Sequence, residues 1–137
     1  MKVVLDTNVF ISAFFWKGSP RQVLERCIEG IDDLYTSREI LAELHVVLCR
    51  PKFSLDGSQI EYFIKSIEDI ARIVPGNLGA EKVCRDEDDQ KVLECALSGN
   101  TDFIITGDHD LLVLKEFRTI AISTPTGYLT YLAETAG

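Results

Sequence analysis

Hydrophobic and polar positions change period along the chain, and each change of period marks a boundary between a short strand and an amphipathic helix. Lys2 to Leu5 is a Val-rich apolar run of the kind buried on both faces of a parallel sheet, and it predicts the first strand. From Ser19-Pro20, with serine placed to cap and proline in the first turn, Val23, Leu24, Cys27 and Ile28 recur at helical spacing until Gly30 stops them. Leu34 to Thr36 predicts a second, very short strand. Thr36-Ser37-Arg38-Glu39 then reads as a capping box, opening a helix that buries Ile40, Leu41, Leu44, Val47 and Leu48 and ends before Pro51. Ser58 to Glu61 gives another box, followed by a helix with Ile60, Phe63, Ile64, Ile67 and Ile70 on one face.

The second half continues the alternation. Arg72 to Val74 predicts a third strand, closed by Pro75-Gly76, and Asn77-Leu78-Gly79 a loop. A helix starts at Asp88 or Asp89, turns Val92, Leu93, Ala96 and Leu97 inward, and ends at Gly99-Asn100. Asp102 to Thr106 and Thr119 to Ser123 read as strands, and Pro125 to Glu134 as a closing helix. Strands alternating with helices imply an α/β protein with a mainly parallel sheet. With no repeat, low-complexity tract or linker, residues 1–137 are expected to form one domain.

Composition narrows the function classes. No apolar run approaches the roughly 20 residues needed to cross a bilayer, so no membrane association is expected. An acid, Asp6, follows the opening apolar run too soon for a signal peptide, which predicts a cytoplasmic protein. Cys27, Cys49, Cys84 and Cys95 form no C-x-x-C pair and read as small buried thiols; neither they nor His45 and His109 have zinc-finger spacing. The net charge of −8 argues against passive nucleic-acid binding by counterion release alone.

The acids are unevenly placed. Asp6 stands at the carboxyl end of the first strand, followed by Thr7-Asn8, and Asp108 and Asp110 follow the strand Asp102 to Thr106 across Thr106-Gly107. In an open parallel sheet ligands bind just beyond the carboxyl ends of strands, so these aspartates can face one crevice. Glu43 adjoins the apolar stripe of its helix, and Asp89 ends the run Asp86-Glu87-Asp88-Asp89 at the start of another. Crowded carboxylates repel unless a cation neutralises them, and hard oxygen ligands suit Mg²⁺ or Mn²⁺. Lys17, Arg21, Lys52 and Lys91 are candidate phosphate contacts. Each acid also has a plainer reading. Asp6 with Asn8 makes a strand-end turn, Glu43 is a solvated helix residue, residues 86–89 complement a helix dipole, and Asp108 with Asp110 caps a short helix near Leu111. His109 between them reads as an exposed loop residue.

Taken in order, these segments resemble the PIN-domain family, almost from one end of the chain to the other. Val4-Leu5-Asp6-Thr7-Asn8, continued by Val9-Phe10-Ile11-Ser12-Ala13, is similar to its first motif, and Glu43 in Ile40-Leu41-Ala42-Glu43-Leu44 to its helix-borne glutamate. Arg85 to Leu93 is similar to the third motif, with Asp89 at its acid, and Ile105-Thr106-Gly107-Asp108-His109-Asp110-Leu111 to the fourth, with Asp108 at its first aspartate. The resemblance implies a three-layer Rossmann-like fold, a mainly parallel sheet of about four to five strands between helices. It implies a metal site built from Asp6, Glu43, Asp89 and Asp108, with Asn8, Thr106 and Asp110 orienting ligands or water around it. It further implies a Mg²⁺- or Mn²⁺-dependent endoribonuclease cutting single-stranded RNA with metal-activated water, like VapC-type toxins, which dimerise and are silenced by an antitoxin. Gln90 stands where relatives often carry Asp or Asn, and His109 where Lys or Arg is commoner.

Two rivals belong to other classes. A catalytically silent PIN-fold module that binds RNA or acts as a scaffold would more naturally have lost one of the four acids, and all four are filled. An aspartate-nucleophile phosphatase would use Asp6 and want a second acid two residues on, where this chain has Asn8.

Overall fold

The computed structural model describes residues 1–76 and 87–136, together with the side chains of these except at 87 and 88. At its centre is β1 (Lys2–Leu5), paired in parallel with β2 (Asp33–Thr36) on one side and β4 (Phe103–Ile105) on the other. With β3 (Arg72–Ile73), β5 (Glu116–Phe117) and β6 (Ile120–Ser123), the sheet order is β3-β2-β1-β4-β6-β5. All pairings are parallel except β5 with β6. Val3, Val4 and Leu5 are each fully buried, as consecutive residues are when both faces of a strand are covered. The sheet therefore has six strands rather than four to five. The difference lies at the edge: β5 is two residues long, too short to show a period, and the turn into β6 runs through Arg118 at φ 56°.

Seven helices flank it among the described residues: α1 (Thr7–Phe15), α2 (Ser19–Ile28), α3 (Arg38–Leu48), α4 (Gly57–Ile70), α5 (Glu87–Gly99), α6 (His109–Leu112) and α7 (Pro125–Thr135). α1 has no counterpart in the periodicity. Its segment is apolar nearly all round, with Val9, Phe10, Ile11 and Ala13 buried, so no polar face reveals the helical repeat. α5 packs on β1, β2 and β4, and its last residue, Gly99, passes so near Tyr35 that a Cβ would come within 2.7 Å of the ring.

Several helix starts differ from expectation, each for a local reason. Gly18, at φ 139°, precedes α2, which puts Ser19 inside the helix. Ser37 rather than Thr36 caps α3, accepting from the Ile40 N–H, so the Glu39 box does not form. At α4 the box is two residues earlier than Ser58–Glu61: Asp56 accepts from the Gln59 N–H at 2.8 Å and the Gln59 side chain accepts from the Asp56 N–H at 2.9 Å. Ile60 and Ile67 are fully inward on α4, while Phe63, Ile64 and Ile70 are half-buried, as are Val47 and Leu97 on their helices. Ile28, expected inward, is 58 % exposed at the end of α2. Cys27 and Cys95 are buried thiols, both pushed up to about 12 by burial, whereas Cys49 is exposed beside His45. Cys84 and the loop at 77–79 lie outside the described residues, as does Asp86.

Candidate metal centre

The chain fills one side of β1 first, with β2 and β3, and then crosses to the other side with β4. The carboxyl ends of β1 and β4 thus flank the point where strand order reverses, the usual crevice of an open α/β sheet. Leu5 pairs with Ile105, and the Asp6 N–H donates to the Ile105 carbonyl at 3.0 Å, carrying the pairing one residue past the strand. Asp6 and Thr106 are therefore set face to face by sheet register alone.

Asp6 is 5 % exposed and is the N-cap of α1. Its Oδ1 accepts from the Thr7 N–H at 2.7 Å; its Oδ2 accepts from the Thr106 hydroxyl at 2.7 Å and from Asn8 Nδ2 at 3.0 Å. The Thr106 hydroxyl in turn accepts from the Asp108 N–H at 2.9 Å, and Asn8 Oδ1 from the Gly107 N–H at 3.0 Å. Thr106 and Asn8 thus tie the two strand ends together through Asp6. Burial pushes the Asp6 carboxyl above its ordinary range, more than the hydrogen bonds from Thr106, Thr7 and Asn8 pull it down, and the Asp108 carboxylate adds to the rise. Asp108 caps α6, its Oδ1 accepting from the Asp110 N–H at 2.8 Å.

The third acid comes from α5, the helix that precedes β4. Asp89, 3 % exposed in the first turn of α5, joins Asp6 and Asp108 in a group in which one carboxylate oxygen from each lies within 4.8 Å of the others. An all-oxygen donor set of this size suits Mg²⁺ or Mn²⁺ over softer ions. The three aspartates line one cavity of about 350 Å³. Thr7 lines it too, and its hydroxyl is buried without a hydrogen-bond partner among the described residues. A buried polar atom in that condition fits a site completed by water or an ion.

Glu43, on α3, lines the same cavity but is not one of the three clustered acids. Lys91 Nζ stands 3.2 Å from its Oε2, both side chains about one-fifth exposed. Of the candidate phosphate contacts, Lys52 borders the cavity, while Arg21 is turned to the Ala13 and Phe14 carbonyls at the end of α1. Asp110 contributes its backbone N–H and leaves its side chain exposed; Gln90 is buried, and His109 is exposed as expected. The cavity also takes in Ser12, Arg50 and Phe53, which sequence reasoning passed over. For Arg50 a signal existed: it follows Glu43 and Val47 at three- and four-residue spacing, continuing the stripe that faces the cavity.

A family model for the PIN domain matches residues 2–110. An uncharacterized protein of Methanocaldococcus jannaschii is 36 % identical over 120 residues, covering 85 % of this chain and 76 % of the relative. Among solved structures, VapBC2 from Rickettsia felis bound to a DNA fragment from their promoter contains a chain with TM-score 0.63 and 15 % identity, covering 90 % of this chain and 98 % of that one. At that identity the likeness is one of fold. The order of the strands, the acids gathered at the switch point and the span of the family match together make this chain a member of the PIN-domain family.

Proposed function

We propose that this protein is a metal-dependent endoribonuclease that hydrolyses phosphodiester bonds of single-stranded RNA in the cytoplasm. The observation that carries the reading is the convergence of Asp6, Asp89 and Asp108, from three separate elements, to within 4.8 Å. Three carboxylates so placed repel one another and call for a cation. In this reading Asp6, Asp89 and Asp108 hold Mg²⁺ or Mn²⁺, and Glu43 completes the site or holds a second ion. When bound, the ion supplies positive charge against the phosphodiester and makes water a stronger nucleophile.

The chain's own groups do the rest. Thr106, Asn8 and the Thr7 N–H fix the Asp6 carboxylate, and the Asp110 N–H fixes Asp108, so the donors are pre-set. Arg50 and Lys52, at the cavity wall, meet the RNA phosphates. The net charge of −8 leaves little general attraction for RNA, so binding falls to these few basic groups and the ion.

A labelled single-stranded RNA incubated with wild type and Asp6→Asn, in Mg²⁺, Mn²⁺ or EDTA, tests the reading. Cleavage by wild type alone, abolished by EDTA, is the expected result. RNA bound but uncut in every condition would instead identify a silent binding module. By likeness of fold to a chain of the Rickettsia felis VapBC2 complex, the proposal extends to a toxin held by an antitoxin, and by the resemblance to VapC-type toxins it extends to a homodimer. Sedimentation of the purified chain, alone and with the product of a neighbouring gene, checks both; a lone monomer that captures no partner would remove them.

A further inference from the structure

The acid cavity does not end at its basic wall. A second hollow of about 500 Å³ adjoins it, sharing Ile11, Lys52 and Phe53 and adding Phe15 and Trp16. Three of its five lining residues are aromatic and pack on one another. Phe15 and Phe53 stack with centroids 4.9 Å apart and planes 10° from parallel, and Trp16 meets Phe15 edge-on at 5.9 Å. Lys52 Nζ lies 5.2 Å from the Phe53 ring centre, at the junction of the two hollows. Trp16 itself is 59 % exposed, although its backbone is fixed as the C-cap of α1, its N–H donating to the Ser12 carbonyl at 3.0 Å.

Resting on the nuclease reading above, we infer that Trp16, with Phe15 and Phe53 behind it, is a stacking platform for a base of the single-stranded RNA near the cleaved phosphate. A flat aromatic surface meets any base through its π-face, and a cation at its edge meets the phosphate joining that base to the next. Both are present, in the order a strand leaving the acids would encounter them: carboxylates, then Lys52, then rings. The helix between Asp6 and Trp16 sets the spacing rigidly, at about 15 Å for ten residues rising 1.5 Å each. The stacked base is therefore a few nucleotides from the cut rather than beside it. Such a platform also answers the charge problem, since stacking gains affinity without a basic surface on a chain of net charge −8.

The chain has one tryptophan, so the platform carries its own reporter. Asp6→Asn protein in Mg²⁺ is titrated with a short oligouridylate, an oligoadenylate and an abasic oligomer of equal length. Indole fluorescence is followed alongside anisotropy of an end label. Saturable quenching by the two base-bearing strands, and none by the abasic one, is expected. Trp16→Ala should weaken binding roughly ten- to a hundredfold while Trp16→Phe stays close to wild type. In the cleaving enzyme the Ala variant should raise KM far more than it lowers kcat. Two failures are distinguishable. If the strands bind and are cut but quench nothing, and Trp16→Ala binds them as well as wild type, the platform is refuted and its apolar face belongs to a protein partner. If no RNA binds in anisotropy at all, the nuclease reading falls and the platform with it.

Discussion

Two aspartates, Asp6 and Asp32, are almost equally buried at opposite ends of the same sheet, and their surroundings could hardly differ more. Asp6 follows β1 at the carboxyl ends of the strands, 5 % exposed. Asp32 precedes β2 at the amino ends, 2 % exposed. Burial alone would raise both carboxyls. At Asp32 it is outweighed by Arg26 Nε at 2.9 Å, the Tyr128 hydroxyl at 2.8 Å and the Met1 amino group at 3.3 Å, leaving the carboxyl below its ordinary range. At Asp6 the donors are neutral and the Asp108 carboxylate adds to the effect of burial, so its carboxyl stays raised. Asp32 is finished by the protein itself and joins α2, α7 and the start of β1. Asp6 is held in position by neutral donors beside a second carboxylate, surroundings that the proposed cation would complete.

Substituting the two acids is the sharpest way to break this comparison. Asp6→Asn should lower RNA cleavage on the order of a thousandfold, the scale of losing a group that organises charge at the reaction centre. The same change removes a repelling charge, so the melting temperature of the metal-free protein should not fall; a clear drop would put Asp6 among the structural acids. Asp32→Asn should do the reverse. Losing charge-assisted hydrogen bonds to partly exposed partners costs about 2 kcal/mol, or roughly 5–10 °C in melting temperature, with the residual folded enzyme fully active. Cleavage lost in proportion to folding would be consistent with that role; cleavage lost in a fully folded Asp32→Asn protein would contradict it.

How legible the two sites were differs for the same physical reason. Asp6 sits in a local pattern, an acid directly after a Val-rich strand, and Asp108 follows the apolar strand at Phe103–Ile105 across Thr106-Gly107. Strand periodicity was enough to say that both can face one crevice, and the parallel pairing of β1 with β4 brings them together. Asp89 could be placed at a helix start, but nothing in the spacing alone sets that start against β1; the resemblance to a known family supplied it. Asp32 had no such signal. Its partners are Arg26, six residues back, Tyr128, 96 residues on, and the chain's own amino group, and no period links them. The helix α1 was hidden by uniform apolarity, and the Trp16 platform with it, since an exposed tryptophan at a helix end looks in sequence like any other apolar residue.

A finer cut falls between the acids and the groups that hold them. Thr106 is fully buried, donates to Asp6 at 2.7 Å and accepts from the Asp108 N–H at 2.9 Å, so it orients two of the clustered acids without belonging to them. Thr106→Val keeps the shape and removes both bonds. Cleavage should fall about 10- to 100-fold, with a weaker apparent affinity for Mg²⁺, as when an orienting group around a metal site is lost. A Mg²⁺ titration of the variant checks this; an unchanged Mg²⁺ dependence would leave Thr106 a structural link between strand ends and nothing more.

The smallest effect is also the one that separates the two aspartates by sign. An ordinary aspartate titrates near 3.9 when unfolded. Asp32, lowered in the folded state, adds stability that is complete above that value and is lost as pH falls through its folded value. The deficit of Asp32→Asn relative to wild type should therefore be constant from neutral pH down to about 4 and close only below it. Asp6, raised in the folded state, behaves oppositely: its ionised form burdens folding above its raised value, and the burden fades as pH falls from there toward about 4. Any advantage of Asp6→Asn should thus disappear on the alkaline side of the point where the Asp32→Asn deficit begins to close. Denaturant unfolding of the three proteins in EDTA across acidic pH measures both differences. If both curves changed in the same window, the two buried carboxylates would share one environment, and the division of the molecule into a finished acid and an unfinished one would fail.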